Sequence, residues 1–143
     1  MLHVQILEEV KSDFIMNKQI IVIHENDEWV VPLREELKKI NAPYKEWHMG
    51  RDKIDFSNTP PNGVFYNRMS ASSHTRGHRY APEDTKMVLN WLENHNRRII
   101  NNSIALKLEI SKQDQYQELE KYNIRFPKTF FCKDKNSLLE NSN

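Results

Sequence analysis

Apolar positions along this chain switch repeatedly between a strand rhythm and a helix rhythm. Gln19 to His24 carries the unbroken run Ile20-Ile21-Val22-Ile23, which reads as a central parallel strand covered on both faces. Asn26 and Asp27 follow as capping residues for a helix. Val30, Leu33, Leu37 and Ile40 share one face of it, with Pro32 in its first turn. Tyr44 to His48 alternates as a second strand, nearer the sheet edge. Residues 50–63, with Pro60-Pro61, read as a loop, and Val64-Phe65-Tyr66 as a third strand.

Pro82 opens a second helix, with Val88, Trp91, Leu92 and His95 at helical spacing. Arg98-Ile99-Ile100 reads as a fourth strand. Asn101-Asn102-Ser103 caps a short helix through Leu108. Ser111 with Asp114 has the approximate form of a capping box for a third long helix, whose apolar face includes Tyr116 and Leu119. After Pro127, the run Lys128-Thr129-Phe130-Phe131 is expected as a fifth strand, followed by a polar tail. Residues 1–15 lack a partner element and read as a disordered extension.

This alternation predicts an α/β fold with a mostly parallel sheet, helices on both faces and right-handed crossovers. Ligands of such folds bind outside the carboxyl ends of the strands. The loop after Tyr66 lies at one of those ends.

Composition narrows the setting. The chain has 143 residues, 38% hydrophobic and 29% charged, with a net charge of +1. These values fit a globular domain, and the absence of a basic excess argues against a nucleic-acid protein. A single cysteine, Cys132, permits no internal disulfide and reads as a buried structural thiol. No apolar run is long enough to cross a bilayer and no secretion signal is evident, so a cytoplasmic location and no membrane partner are expected.

The segment from Asn67 to Tyr80 is the chemically richest. It holds Arg68, Arg76 and Arg79, His74 and His78, and the hydroxyls of Ser70, Ser72, Ser73 and Thr75, with no carboxylate. Arginine forks suit carboxylates and phosphates, and hydroxyls add neutral bonds. These nine residues are therefore the expected substrate-binding set. The plainer alternative pairs Arg68 with Glu83 or Asp84 and makes the loop a folded cap.

Other chemistries find less support. The three glycines, Gly50, Gly63 and Gly77, form no dinucleotide or phosphate-loop pattern. His74 and His78 have a metal-compatible spacing, but Arg76 and Arg79 would repel a cation, so no metal site is expected there. Ser72 or Ser73 as a nucleophile lacks the usual elbow. No catalytic residue is assigned. Trp29, Trp47 and Trp91 read as core or core-edge residues.

The stretch Val64 to His78, followed by Arg98 to Asn102 and by Ala105 to Tyr116, resembles the N-terminal part of ATP-grasp proteins. The similarity is to the branch related to ribosomal-protein glutamate ligases and glutathione synthetase. It spans about residues 16–131. It implies a Rossmann-like pre-ATP-grasp domain over residues 16–102, and the start of an incomplete ATP-grasp domain over 103–143. It also implies ATP and Mg2+ as cofactors of a complete protein, a carboxylate activated as an acyl phosphate, and an amine that attacks it. Lys112 matches the lysine that reaches toward the ATP phosphates in several relatives. A cation in the first turn of a helix is slightly unfavourable there, which suits a phosphate partner.

Two readings follow. The first is the substrate-binding portion of an ATP-dependent carboxylate–amine ligase. Its partners would be a small anionic substrate or a peptide carboxylate, and the remainder of an ATP-grasp domain in the same or a separate chain. The second is a non-catalytic domain that binds an anion or nucleic-acid phosphate, for which salt-sensitive binding lost in Arg76→Ala would speak. Apolar residues such as Phe130 and Phe131, lacking the sequence they would pack on, are expected to favour self-association. The second phosphate-contacting lysine, the adenine hinge and the magnesium ligands of the family have no counterpart here. The 143-residue chain alone is therefore expected to hydrolyse no ATP. Clear magnesium-dependent phosphate release by the purified protein would refute this.

Overall fold

A computed structural model describes residues 19–130 and 132–134. The expected extension at residues 1–15 lies outside them, as do Phe131 and most of the polar tail. Among the described residues, four strands form one sheet: β1 (Ile20–His24), β2 (Tyr44–His48), β3 (Val64–Asn67) and β4 (Arg98–Ile100). All neighbours are parallel, in the order β2-β1-β3-β4. The chain is thus an α/β protein with a Rossmann-like parallel sheet, and β2 lies at an edge, as its alternation predicts.

The continuous apolar run of β1 is explained by the two layers covering it. Successive side chains of a strand point to opposite faces. Ile21 and Ile23 join Phe65 from β3 in one core, against helix α2 (Ala81–Asn94), which contributes Val88, Leu89 and Leu92. Val22 faces the other way, onto Val30 and Leu37 of the segment containing helix α1 (Val31–Lys39). One strand therefore supplies apolar groups to both faces.

Helix α3 (Ser103–Ile110) is capped by Asn102, whose Oδ1 accepts the Ala105 N–H at 3.2 Å. Its Leu106 is buried in the α2-side core. The first of two compact units accordingly runs to Ser111, and the second begins at Lys112. Helix α4 (Lys112–Lys121) opens the second unit and buries none of its residues. Within that unit Tyr116 stacks on Phe126 at 4.9 Å. Phe126 and Phe130 are exposed. Among the described residues, no helix is long and apolar enough to cross a membrane.

Three local expectations need correction. Asn26 and Asp27 do not cap α1. Asn26 Oδ1 instead accepts the N–H groups of Glu28 and Trp29, at 3.0 and 3.3 Å, and shapes the turn before the helix. Lys128–Phe130 is not a strand, because no described strand lies beside it to complete a ladder. The segment after β3 is not an open loop: Ala71–Arg76 winds into a 3-10 helix, capped by the Ser70 side chain and ended by Gly77 at φ 83°.

The β1–β3 contact depends on one glycine. A Cβ at Gly63 would lie 2.4 Å from the Gln19 carbonyl oxygen. That oxygen accepts the Val64 N–H at 2.9 Å, the bond that starts the pairing of these strands. Gly63→Ala must push the two backbones apart. Urea denaturation should show a loss of about 2–3 kcal/mol, and an unchanged midpoint would contradict this packing.

Candidate functional site

The carboxyl ends of β1, β2 and β3 carry a dense set of charged groups. Glu25 follows β1 directly, and its side chain is only 1% exposed. Arg76 straddles it, donating from Nε to Oε2 at 3.1 Å and from Nη2 to Oε1. His78 Nδ1 lies 2.9 Å from Oε2. Burial pushes the Glu25 pKa up, but the bonds from Arg76 and His78 outweigh it and hold the group below the ordinary carboxylate range. Arg76 also donates to Ser72 Oγ at 3.2 Å and lies 4.9 Å over the Trp29 ring.

A second network adjoins the first. Arg34 of α1 donates to both oxygens of Glu46, at 2.7 and 2.6 Å, and to Asp27 Oδ1 at 2.8 Å. Arg51 holds the other oxygen of Asp27 at 2.7 Å. The bonds from Arg51, then Arg34, keep the Asp27 carboxyl well below its usual range. Glu46 is also lowered, first by Arg34 against the opposing effect of burial. His48 is buried, and burial followed by the nearby Arg51 charge lowers its pKa, which favours the neutral ring. His24, His48 and His78 pack edge to face in a row, at 5.1 and 5.3 Å between neighbours.

The nine expected substrate residues do not converge on one point. Arg76 and His78 are committed to Glu25. Ser70 Oγ caps the 3-10 helix and sits 3.0 Å from Ser72 Oγ. Thr75 Oγ1 donates to the Ser72 carbonyl at 2.7 Å, and His74 Nδ1 lies 3.0 Å from the Ala71 carbonyl. Ser73 is fully buried and its Oγ has no partner among the described residues. Arg79 is exposed and lies 5.8 Å over the Tyr80 ring. The loop's lack of its own acid is therefore misleading, because Glu25 arrives from another strand end to neutralise it.

Arg68 stands apart from this network. It does not pair with Glu83 or Asp84. It donates from Nη1 to the Tyr66 hydroxyl at 3.3 Å, and no carboxylate pairs with it among the described residues. It borders a concave opening of about 400 Å³ at the ends of β3 and β4, shared with Trp29, Tyr66, Ser70, Asn101 and Glu109. Two amides frame it: Asn67 Nδ2 donates to the Asn101 carbonyl at 2.9 Å, and Asn101 Nδ2 returns a bond to the Asn67 carbonyl at 3.1 Å. Lys112 lies in the second unit, exposed, with Nζ donating to Gln115 Oε1 at 2.9 Å.

Residue-type reasoning along one loop could not reach Glu25, Asp27, Arg34, Glu46, His48 or Arg51, because their partners are remote in sequence. The acid immediately after a buried strand was the available signal. No protein-family model matches the chain, and no curated protein matches it either.

Glu25 makes Arg76 a structural residue. Arg76→Met should leave a buried carboxylate with only His78 as partner and cost on the order of 2–4 kcal/mol. Adding Glu25→Gln removes the orphaned charge and should recover much of that loss. A double variant no more stable than Arg76→Met, measured by urea denaturation, would contradict the pairing.

Proposed function

We propose that this chain is the substrate-facing portion of an ATP-dependent carboxylate–amine ligase of the ATP-grasp type. The observation that carries the reading is Arg68. It is an exposed guanidinium without a carboxylate partner among the described residues, at the carboxyl end of a parallel strand, bordering a polar opening. Open α/β sheets bind ligands at this position. The parallel sheet and the resemblance of residues 64–78, 98–102 and 105–116 to ATP-grasp proteins support the same assignment.

In this role Arg68 holds the substrate carboxylate through charge-assisted bonds. Ser70 and Asn101 stand beside it as neutral hydrogen-bonding groups. Arg76 and His78 hold the loop rather than the substrate, since Glu25 already occupies both. ATP and Mg2+ would supply the activated acyl phosphate in the complete enzyme, with Lys112 as the residue of this chain facing the phosphates. The first unit binds and orients the carboxylate.

The charge layout disfavours a phosphate-track domain. With Arg76 neutralised, Arg68 and Arg79 are the arginines of the loop left to meet a polyanion. Arg76→Ala is also a poor probe of nucleic-acid binding, because it strips Glu25 of its main partner.

The test is NMR titration with glutamate, a short acidic peptide and inorganic phosphate. Carboxylates should shift the amides near Arg68, Ser70 and Asn101. Arg68→Ala should weaken that binding by roughly 10- to 100-fold, the value of a charged hydrogen bond, and Arg68→Lys should retain part of it. Carboxylate binding indifferent to Arg68 would sink the reading. Preferential, salt-sensitive binding of an oligonucleotide at the same surface would replace it with the phosphate-binding one.

A further inference from the structure

Three donor groups beyond that opening converge at the ends of β1 and β2. One donor atom each from His24, Asp27 and His48 lies within 4.8 Å of the other two. The register explains the meeting. His24 and His48 are direct partners across the parallel pair, so their rings emerge on the same face. Asp27 follows in the turn after β1.

His24 is the informative member. Its Nε2 lies 3.0 Å from Glu46 Oε2, a carboxylate held in turn by Arg34. That contact places the ring proton on Nε2 and leaves the lone pair on Nδ1. The side chain is 1% exposed, and Nδ1 is buried without a hydrogen-bond partner among the described residues. An orphaned buried acceptor is costly and calls for an occupant. An imidazole bound to a carboxylate through one nitrogen and open at the other has the form of a metal-ligating histidine with its supporting acid.

We propose that His24, Asp27 and His48 bind a divalent transition metal of the zinc and cobalt class. Two imidazoles and one carboxylate suit such an ion and leave a coordination position for water. Asp27 supplies the negative charge.

Binding has two identifiable costs besides the repulsion from Arg34, which stays on Asp27 Oδ1 at 2.8 Å and is offset by the Asp27 and Glu46 carboxylates. Arg51 must release Asp27 Oδ2, now 2.7 Å away; its side chain is 57% exposed and can swing into solvent. His48 Nδ1 accepts the Gly50 N–H at 3.1 Å, which puts the ring proton on Nε2, 3.9 Å from Asp27 Oδ2. Ligation through Nε2 requires that proton to pass through solvent to Nδ1, and the Gly50 N–H to turn away. Gly50 is tightly placed: a Cβ there would lie 2.7 Å from the His78 ring and 3.1 Å from that of His48. Arg51 is therefore a competitor of the metal, so its removal should strengthen binding.

The sign of the Arg51 effect makes the test sharp. Untagged, chelator-stripped full chain is titrated with Co2+ and followed by visible d–d absorption and calorimetry. One ion per chain is expected. Asp27→Asn and His48→Gln should each weaken binding at least about tenfold. Arg51→Ala should tighten it by roughly threefold, the scale of an exposed ion pair. His95→Gln, outside the cluster, should change nothing. Circular dichroism of each variant separates lost binding from lost fold. If His48→Gln unfolds, the near-isosteric Asp27→Asn and the exposed Arg51→Ala decide. Absence of Co2+ binding, binding that survives Asp27→Asn, or an Arg51→Ala that fails to tighten overturns the proposal.

Discussion

Burying the Glu25 carboxylate is the constraint around which this end of the molecule is arranged. A charge at the end of a central strand, withdrawn from water, is tolerable only with close and well-aligned partners. Those partners come from far along the chain. Arg76 and His78 must reach back to β1, which requires the segment after β3 to fold over the sheet. The 3-10 helix, its Ser70 cap and the turn at Gly77 are the local means of bringing them there. Trp29 then covers the Arg76 guanidinium from the other side. The charge of Arg76 is thus spent within the fold, while Arg68 and Arg79 keep theirs at the surface.

That arrangement separates two kinds of arginine that look alike in sequence. Arg76 is held along one edge by a carboxylate, at Nη1 by the Ser72 hydroxyl, and on one face by a ring. Arg68 is held lightly, by a phenol, and keeps its charge for solvent or ligand. Burial of the counter-charge makes the difference. The same logic governs the neighbouring network, where Arg34 ties α1 to the sheet through Glu46 and to the turn through Asp27. Fixed arginines position elements, whereas Arg68 is left exposed at the end of β3.

The sheet was legible in the sequence because its signals are local. The β-branched run of β1, the alternation of β2 and the short apolar runs of β3 and β4 each mark a strand without outside help. The loop was legible as a place but not as a structure. Nothing between Asn67 and Tyr80 announces that Glu25 is its partner. The Lys128–Phe130 segment shows the opposite failure. Its composition suits a strand, but a strand exists only with a neighbour to bond. Likewise His24 and His48, twenty-four positions apart, become a pair only once the register of β1 and β2 is known.

The reciprocal amide clasp between Asn67 and Asn101 has a mechanical meaning. The β3–β4 ladder pairs residues up to Tyr66 and Ile100, and beyond it parallel strands are free to splay. Two side chains, each giving one bond and receiving the other at the backbone, extend the grip by a residue past the end of the sheet. The mouth of the neighbouring opening therefore has one stiff jaw, set by amide geometry. Trp29 and Arg68 line the same opening with exposed side chains. Such a cleft is rigid where the amides border it and adjustable where exposed side chains do.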